Sequence, residues 1–410
     1  MKMNINKILE KIKPTKKEEE KISQVVYYFL EKLNKKLVKA NAIVGGSFAK
    51  STWLKEDHDI DIFVIFDKVY SSEEISPMLK YILEKTFRGI KTIHGSRDYY
   101  QIDINKYNFE IVPVLKISNP KEAKIITDIS PLHIKWVREK TEDNKLNDEI
   151  RLVKSFCKAQ GVYGAESYIK GFSGYALEIL TIYYRSFEKF LTAVSKWKSK
   201  EIIDIEKYKS AKKLNQSKTQ SPLILIDPVQ ADRNVTAVLS KEKFDKFISA
   251  AKSYIKNPSE EFFIKKIPSV KELKKKNYLV LKVKPFKGKE DIIGSKILRV
   301  FEYIRNKLNE EDFIVLEDGW YWDKKAIFWY NLKNKQVSPT KRHYGPPVSK
   351  KSNLENFKEK WKGYKILKEK NKVYINVKRE YNLLKPFIKN LVKDEEIKRY
   401  VKRIKILNFP

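Results

Sequence analysis

The chain has 410 residues, with 86 Lys and Arg against 52 Asp and Glu, and a formal net charge of +34. That length allows two to four domains with ample core, and so large a positive excess points to a polyanionic partner, nucleic acid first and an anionic membrane surface second. No apolar run approaches the ~18 residues of a membrane span, and the N-terminal Met1-Lys2-Met3-Asn4-Ile5-Asn6-Lys7 leads into no leader peptide. The single Cys157 forms no internal disulfide, which suits a reducing cytoplasm, and the four histidines (His58, His94, His133, His343) lack zinc-type spacing.

In chain order, Thr15 and Glu18 read as a capping box. Behind it Ile22, Val25, Val26, Phe29, Leu33 and Leu37 recur at helical spacing. Ala42 to Phe66 follows and organises the chain. A short apolar strand runs into Gly45-Gly46-Ser47, and a second strand, Asp59 to Phe66, opens with carboxylates at alternate positions. Residues i and i+2 of a strand share a face, so Asp59 and Asp61 aim at one spot about 6–7 Å apart. Such a pair repels unless a cation lies between, and hard oxygen ligands beside phosphates suit Mg²⁺. The glycine turn can bring backbone N–H groups and the Ser47 hydroxyl onto those phosphates. The stretch therefore reads as a metal and nucleoside triphosphate site.

Ser76 to Phe87 reads as a helix, then Tyr99 to Ile104 and Phe109 to Val114 as a hairpin across residues 105–108. Glu110 interrupts the second strand. Alone it would be an exposed edge residue; near two carboxylates that need a third it becomes a ligand candidate, while Asp103 beside Gln101 and Asn105 reads as solvated. From about Asn147 a helix places Ile150, Val153, Lys154 and Cys157 on one side. Lys154 there either snorkels out or meets triphosphate oxygens. Gly171 and Gly174 suggest a close helix–helix approach. Residues 196–221 read as an irregular surface excursion, and Lys241 to Ile255 as a helix.

After Pro258 the character changes. Tyr278 to Lys284 alternates as a strand, Ser295 to Leu308 reads as an amphipathic helix, and Trp320-Tyr321-Trp322 with Ile327 to Tyr330 as a hairpin turning at Asp323-Lys324-Lys325. Lys341 to Pro347 reads as a basic loop, the better RNA footprint because strand aromatics are more often core. A last strand, Val373 to Val377, and a Lys-rich helical C-terminus close the chain.

Gly46-Ser47 with Asp59-Ile60-Asp61 resembles the nucleotidyltransferase signature of the polymerase-beta superfamily. The longer string from Gly46 to Leu54, with Asp59 to Phe63, is similar to one branch, the archaeal (class I) CCA-adding enzymes. Phe109 to Pro113, Gly171 to Tyr175, Asp227-Pro228, Arg233-Asn234-Val235 and Gly345-Pro346-Pro347 match that family in order. The resemblance implies an α+β chain. Its parts would be a polymerase-beta-type head with a mixed sheet and helices over residues 1–142, a mainly helical neck over 143–257 that completes the nucleotide pocket, an α/β body over 258–300 and 371–410, and a tRNA-binding tail over 301–370.

It further implies addition and repair of the 3′-terminal CCA of tRNA from CTP and ATP, without a template, by two-metal nucleotidyl transfer with release of pyrophosphate. By position Asp59, Asp61 and Glu110 correspond to the catalytic metal ligands, with Mg²⁺ as cofactor. Gly46, Ser47, Lys50, His133, Lys154, Tyr163 and Arg233 correspond to nucleotide contacts, Arg233 helping to select the base. The partners implied are the acceptor stem and T arm of tRNA, CTP and ATP, with no membrane, a homodimer left open, and a cytoplasmic location. This chain departs from the family pattern at Glu110 (usually Asp), Lys50 (usually Arg), Gln230-Ala231 (often Asp-Pro) and Arg97-Asp98-Tyr99 (His-Pro-Tyr expected). The competing readings are a poly(A)- or oligoadenylate-type polymerase, which shares the metal signature, and a non-catalytic RNA-binding protein, against which the carboxylates facing a polyanion argue.

Overall fold

Two helices open the chain, α1 (Ile5–Ile12) and α2 (Lys16–Asn34). The second begins where its cap dictates. Thr15 Oγ1 accepts from the Glu18 N–H at 3.3 Å, and the Glu18 carboxylate accepts from the Thr15 N–H at 2.9 Å, satisfying two otherwise orphaned donors. Ile22, Val26, Phe29 and Leu33 form its buried stripe. The computed structural model describes residues 4–141, 145–323 and 325–410. Outside that range fall Met1–Met3 of the N-terminal stretch, the expected boundary at 142/143 and Lys324 of the expected turn. The chain divides into two units, Met1–Lys266 and Ile267–Pro410.

In the first unit α2 covers a five-stranded sheet. Its elements run β1 (Ala40–Val44), the short α3 (Gly46–Ala49), β2 (Asp59–Phe66), α4 (Ile75–Thr86), β3 (Lys91–Ile93), β4 (Tyr99–Ile104) and β5 (Tyr107–Leu115). The spatial order is β1-β2-β5-β4-β3, with β2 and β5 parallel and the other pairs antiparallel, a mixed sheet. Ile60, Ile62, Val64 and Phe66 share one face and one core with α2 and α4. Phe63 and Ile65 point the other way, onto Val112, Val114 and Ile134 of α5 (Ser130–Lys140). The strand is thus covered on both faces toward its end, while Asp59 at its start is exposed and Asp61 part-buried. The hairpin between β4 and β5 turns more tightly than residues 105–108 suggest, because Asn105 adopts φ +56°, a left-handed conformation that asparagine tolerates.

The unit continues through α6 (Lys145–Ala159), α7 (Gly174–Tyr184), α8 (Phe187–Val194), β6 (Glu201–Ile203), β7 (Leu223–Leu225) and α9 (Lys241–Lys256). Phe156, Phe172, Phe187, Phe190 and Phe247 form the aromatic centre of their shared core. Two expectations change here. Residues 196–221 contain β6, which pairs in parallel with β7, and the Asn234 side chain ties the segment down by donating to Lys218 O at 2.8 Å and accepting from the Leu225 N–H at 3.0 Å. Gly171 does not mediate a helix–helix contact. It lies in an extended pairing of Tyr163 with Phe172, and a Cβ there would stand 2.3 Å from the Val162 carbonyl oxygen.

The second unit holds two antiparallel sheets. Its elements are α10 (Val270–Lys275), β8 (Leu279–Pro285), α11 (Glu290–Glu310), β9 (Val315–Trp322), β10 (Ala326–Leu332), β11 (Thr340–Pro347), α12 (Lys351–Lys360), β12 (Leu367–Glu369), β13 (Lys372–Lys378), α13 (Leu384–Leu391), α14 (Glu395–Tyr400) and β14 (Val401–Asn408). The sheets are ordered β14-β8-β10-β9 and β11-β13-β12. Side chains of α11, α13 and α14 share the core of the four-stranded sheet. Residue 301, the expected body–tail boundary, lies inside α11, which runs unbroken from Glu290 to Glu310. The basic stretch from Lys341 to Pro347 is a strand, not a loop; prolines are tolerated there because β11 is an edge strand. The C-terminal stretch forms the helices α13 and α14 as expected, but its last residues make the strand β14, because Val401, Ile404 and Ile406 pack into the sheet core.

The Gly171 geometry has a measurable consequence. Gly171→Ala forces its methyl into the Val162 carbonyl and should lower unfolding stability by about 1–3 kcal/mol. Urea denaturation followed by tryptophan fluorescence checks this, and an unchanged midpoint would contradict the tight pairing.

Candidate functional site

The site begins where β1 ends. The Gly45 N–H donates to Asp61 O at 2.7 Å, which pins the glycine turn beside the second carboxylate. Gly46 adopts φ +56°, and a Cβ there would lie 1.6 Å from Asp61 Oδ2. Only glycine satisfies both demands. Ser47 follows immediately in α3, so its hydroxyl belongs to the same turn.

The parallel register of β2 and β5 sets Asp59 opposite Asn108 and Asp61 opposite Glu110. Neighbouring strands lie about 4.8 Å apart, so the two carboxylates face each other across one strand spacing. Each outer carboxylate has an amide donor: Asn108 Nδ2 donates to Asp59 Oδ1 at 3.2 Å and Gln101 Nε2 to Glu110 Oε1 at 2.6 Å. Asp61 carries the electrostatic load. Burial and then the charge of Glu110 push its carboxyl up to about 6, with Asp59 adding to the rise and Lys50 opposing it. Asp103, in register with Asn108 on the next strand, pairs instead with Lys91 at 2.5 Å on the surface.

Among the described residues no three His, Cys, Asp or Glu side chains already stand as a closed ligand cluster. The donor set nevertheless fits a hard cation. Three acids share one face of two adjacent strands, and burial with the charges of Glu110 and Asp59 raises the carboxyl of Asp61, a penalty that a bound cation would offset.

Behind the turn lies a buried charge cluster. Lys50 Nζ donates to Glu178 Oε2 at 2.5 Å, Lys154 Nζ to Glu178 Oε1 at 2.7 Å, and Thr52 Oγ1 to the same Oε1 at 2.8 Å. Lys154 also donates to Thr52 Oγ1 at 2.9 Å and Thr52 O at 3.3 Å. Glu178 is fully buried, Lys154 is 2% exposed and Lys50 9%. Burial acts to raise the Glu178 carboxyl, but the charges and hydrogen bonds of Lys154 and Lys50 overcome it and hold it down to about 2. Burial pulls the Lys154 ammonium down, with Glu178 opposing and Lys50 assisting. Lys154 therefore neither snorkels nor presents a free donor: its three N–H groups are engaged inside the chain. Tyr163 lies nearby, its ring 5.1 Å from Lys158 Nζ, which pairs with Asp57 at 2.5 Å. Burial pushes the Tyr163 phenol up.

A second cluster gathers around Asp227. Its Oδ1 accepts from the Val229 N–H at 2.9 Å and from the Tyr175 hydroxyl at 3.1 Å, and its Oδ2 from Arg233 Nη1 at 2.7 Å. His133 Nε2 approaches Oδ2 to 3.2 Å, off the line a hydrogen bond needs, and its ring stacks on Tyr175 with centroids 4.2 Å apart. Burial alone would raise the Asp227 carboxyl; His133 and Arg233 bring it below its ordinary value. Tyr175 joins the two clusters, since Lys50 Nζ lies 5.8 Å from its ring centre. All ten residues singled out from the sequence thus fall in the first unit. Sequence reasoning missed the roles of Glu178, Thr52, Tyr175 and Asp227. Glu178 left one signal, a carboxylate inside the apolar helix run Ala176-Leu177-Glu178-Ile179-Leu180.

Three sequence families match the chain: the nucleotidyltransferase domain over residues 22–133, the tRNA nucleotidyltransferase second domain over 148–264, and the CCA-adding enzyme C-terminal domain over 277–403. The chain is similar to the CCA-adding enzyme of Nanoarchaeum equitans, 36% identical over 379 residues, covering 91% of this chain and 93% of that one. It is similar to the CCA-adding enzyme of Saccharolobus shibatae at 35% identity over 399 residues, covering 94% and 91%. Among solved structures, the Cid1 poly(U) polymerase with Mg and 3′-dATP bound superimposes with a TM-score of 0.53 at 14% identity, over 64% of this chain and 98% of that one. At that identity the likeness establishes the nucleotidyltransferase fold alone.

The raised Asp61 carboxyl has a testable cost. Ionising it in the fold is harder than in the unfolded chain, so the stability it contributes is complete at low pH and lost as pH rises through about 6. In metal-free buffer Asp61→Asn should therefore be more stable than the parent at pH 8, by about 1–3 kcal/mol, and equal to it near pH 4. Denaturant midpoints at the two pH values check this.

Proposed function

The chain belongs to the CCA-adding enzyme family, adding the 3′-terminal CCA of tRNA without a nucleic-acid template, and on that footing we propose which of its residues hold the nucleotide, the cation and the RNA. The observation that carries the assignment is the in-register pair Asp61 and Glu110 beside the Gly46 turn. CTP and ATP are the substrates, and the tRNA 3′-hydroxyl displaces pyrophosphate from the α-phosphate.

Asp59, Asp61 and Glu110 would hold Mg²⁺. When bound, the metal supplies Lewis-acid charge to the reacting phosphate and lowers the cost of ionising the attacking hydroxyl. Gln101 and Asn108 orient the two outer carboxylates through their amide donors. Gly46 lets the chain approach the phosphates, and Ser47 offers a hydroxyl to them. Lys50 and Lys154 set a positive field where charge builds on the leaving pyrophosphate. His133 and Tyr163 line the nucleotide pocket. Arg233 selects the base with the guanidinium N–H groups that its bond to Asp227 leaves over, and that bond holds it in one orientation. In the second unit Arg342 stacks on Tyr374, ring centre 4.9 Å away, beside Lys341 and exposed Tyr344. That mixture of cation and ring suits RNA, and we assign it to the acceptor stem and T arm of tRNA.

A tRNA lacking its last three nucleotides should gain two residues with CTP alone and a third once ATP is added, read on a sequencing gel. An open-ended homopolymer tail would overturn the assignment. Asp61→Ala should abolish both additions while leaving tRNA affinity within about twofold, since binding energy comes mainly from cations elsewhere. Turnover retained in that variant would refute the carboxylate roles.

A further inference from the structure

Glu178 is the one fully buried carboxylate that two lysines share among the described residues, and the roles proposed above do not use it. Its two oxygens divide the work: Oε2 accepts from Lys50 at 2.5 Å, and Oε1 from Lys154 at 2.7 Å and Thr52 at 2.8 Å. It stands at the fifth position of α7, on the wall behind the glycine turn. Two ammonium groups bonded to opposite oxygens of a single carboxylate are within a few ångströms of each other, inside protein. Without an anion between them, burial and the like charge of Lys50 both favour loss of the proton from Lys154.

We propose that Glu178 is a positioning residue for nucleotide binding: it keeps Lys50 and Lys154 charged together and fixes the Lys50 ammonium beside the turn that receives the triphosphate. This rests on the reading that Lys50 faces the triphosphate. Lys154 has no N–H left over, whereas Lys50 has one bond to Glu178 and a ring beside it. Lys50 is thus the group the cluster presents, and Glu178 with Lys154 behind it is the mount. The other titratable groups around the cluster are Asp57, Asp61, Tyr163 and Tyr175. Asp57 already pairs with Lys158 and cannot replace Glu178 as the shared anion.

The test is the neutral isostere. Glu178→Gln keeps shape and hydrogen-bonding reach but removes the charge, so one lysine should lose its proton as pH rises. KM for CTP should then exceed the parent value by about tenfold at about pH 8.5, with the gap closing toward about pH 6.5, while KM for tRNA stays put. A KM for CTP that matches the parent at both pH values, or a rise that does not change with pH, overturns the proposal. Lys50→Met, assayed alongside, separates the two levels. If it leaves KM for CTP unchanged, the triphosphate role of Lys50 fails and takes the proposal with it. If it raises that KM and Glu178→Gln does not, only the role of Glu178 fails. Should Glu178→Gln not fold, the pair Glu178→Gln with Lys154→Met removes one charge of each sign. Its KM for CTP should lose the pH dependence, because a single lysine has no rival for the proton; a persisting dependence overturns the proposal.

Discussion

A parallel pairing in register forces two acids together. Because β2 and β5 run the same way with Asp61 opposite Glu110, like charges meet across one strand spacing, and Asp59 joins them from two residues upstream. No rearrangement of side chains alone relieves this, since the backbone sets the spacing. Most of what surrounds the pair answers it. The glycine turn gives Asp61 Oδ2 room, two amides cradle the outer carboxylates, and Lys50 stands close enough to be felt but is bonded to Glu178. The repulsion left over is what a bound cation would relieve under the proposed metal role.

The positive side of the site is organised by the opposite device. A chain with a net charge of +34 has no shortage of lysines, yet lysines in solvent are mobile point charges. The cluster around Glu178 turns two of them into fixed ones by burying them against a common anion and a threonine. The same logic recurs at Asp227, where one carboxylate holds Arg233 and stands beside His133. Each of these two buried acids thus fixes the bases packed against it.

Much of this was readable locally. The Thr15–Glu18 cap, the alternation through Asp59 and Asp61, and the charge of Glu110 in an apolar strand are short-range signals; the cap is present in the fold, and Glu110 stands in register with Asp61. What was not readable depended on partners far away in sequence. Lys154 on an apolar helix face and Glu178 on another are each anomalies alone; they explain each other only once α6 and α7 pack together. Gly171 and Gly174 advertise close approaches but not of what: Gly171 faces the Val162 carbonyl, whereas Gly174 at the start of α7 faces Tyr163 and the α6 residue Lys154. Lys341 to Pro347 reads as a loop because Gly345, Pro346 and Pro347 punctuate it, and it becomes a strand only because one side of the three-stranded sheet can accept residues that donate no hydrogen bond.

That edge also bears on how the protein behaves toward copies of itself. An uncovered outer strand exposes backbone groups able to pair with any extended chain, the first step of aggregation through sheet extension. In β11 the prolines at 346 and 347 remove two amide donors, the pairing with β13 slips between Tyr344 and Pro347, and Lys341 and Arg342 carry charged side chains paired with Glu311 and Glu369. A second copy would bring the same charges and the same missing donors to the junction. These same features discourage the strand from growing into a larger sheet.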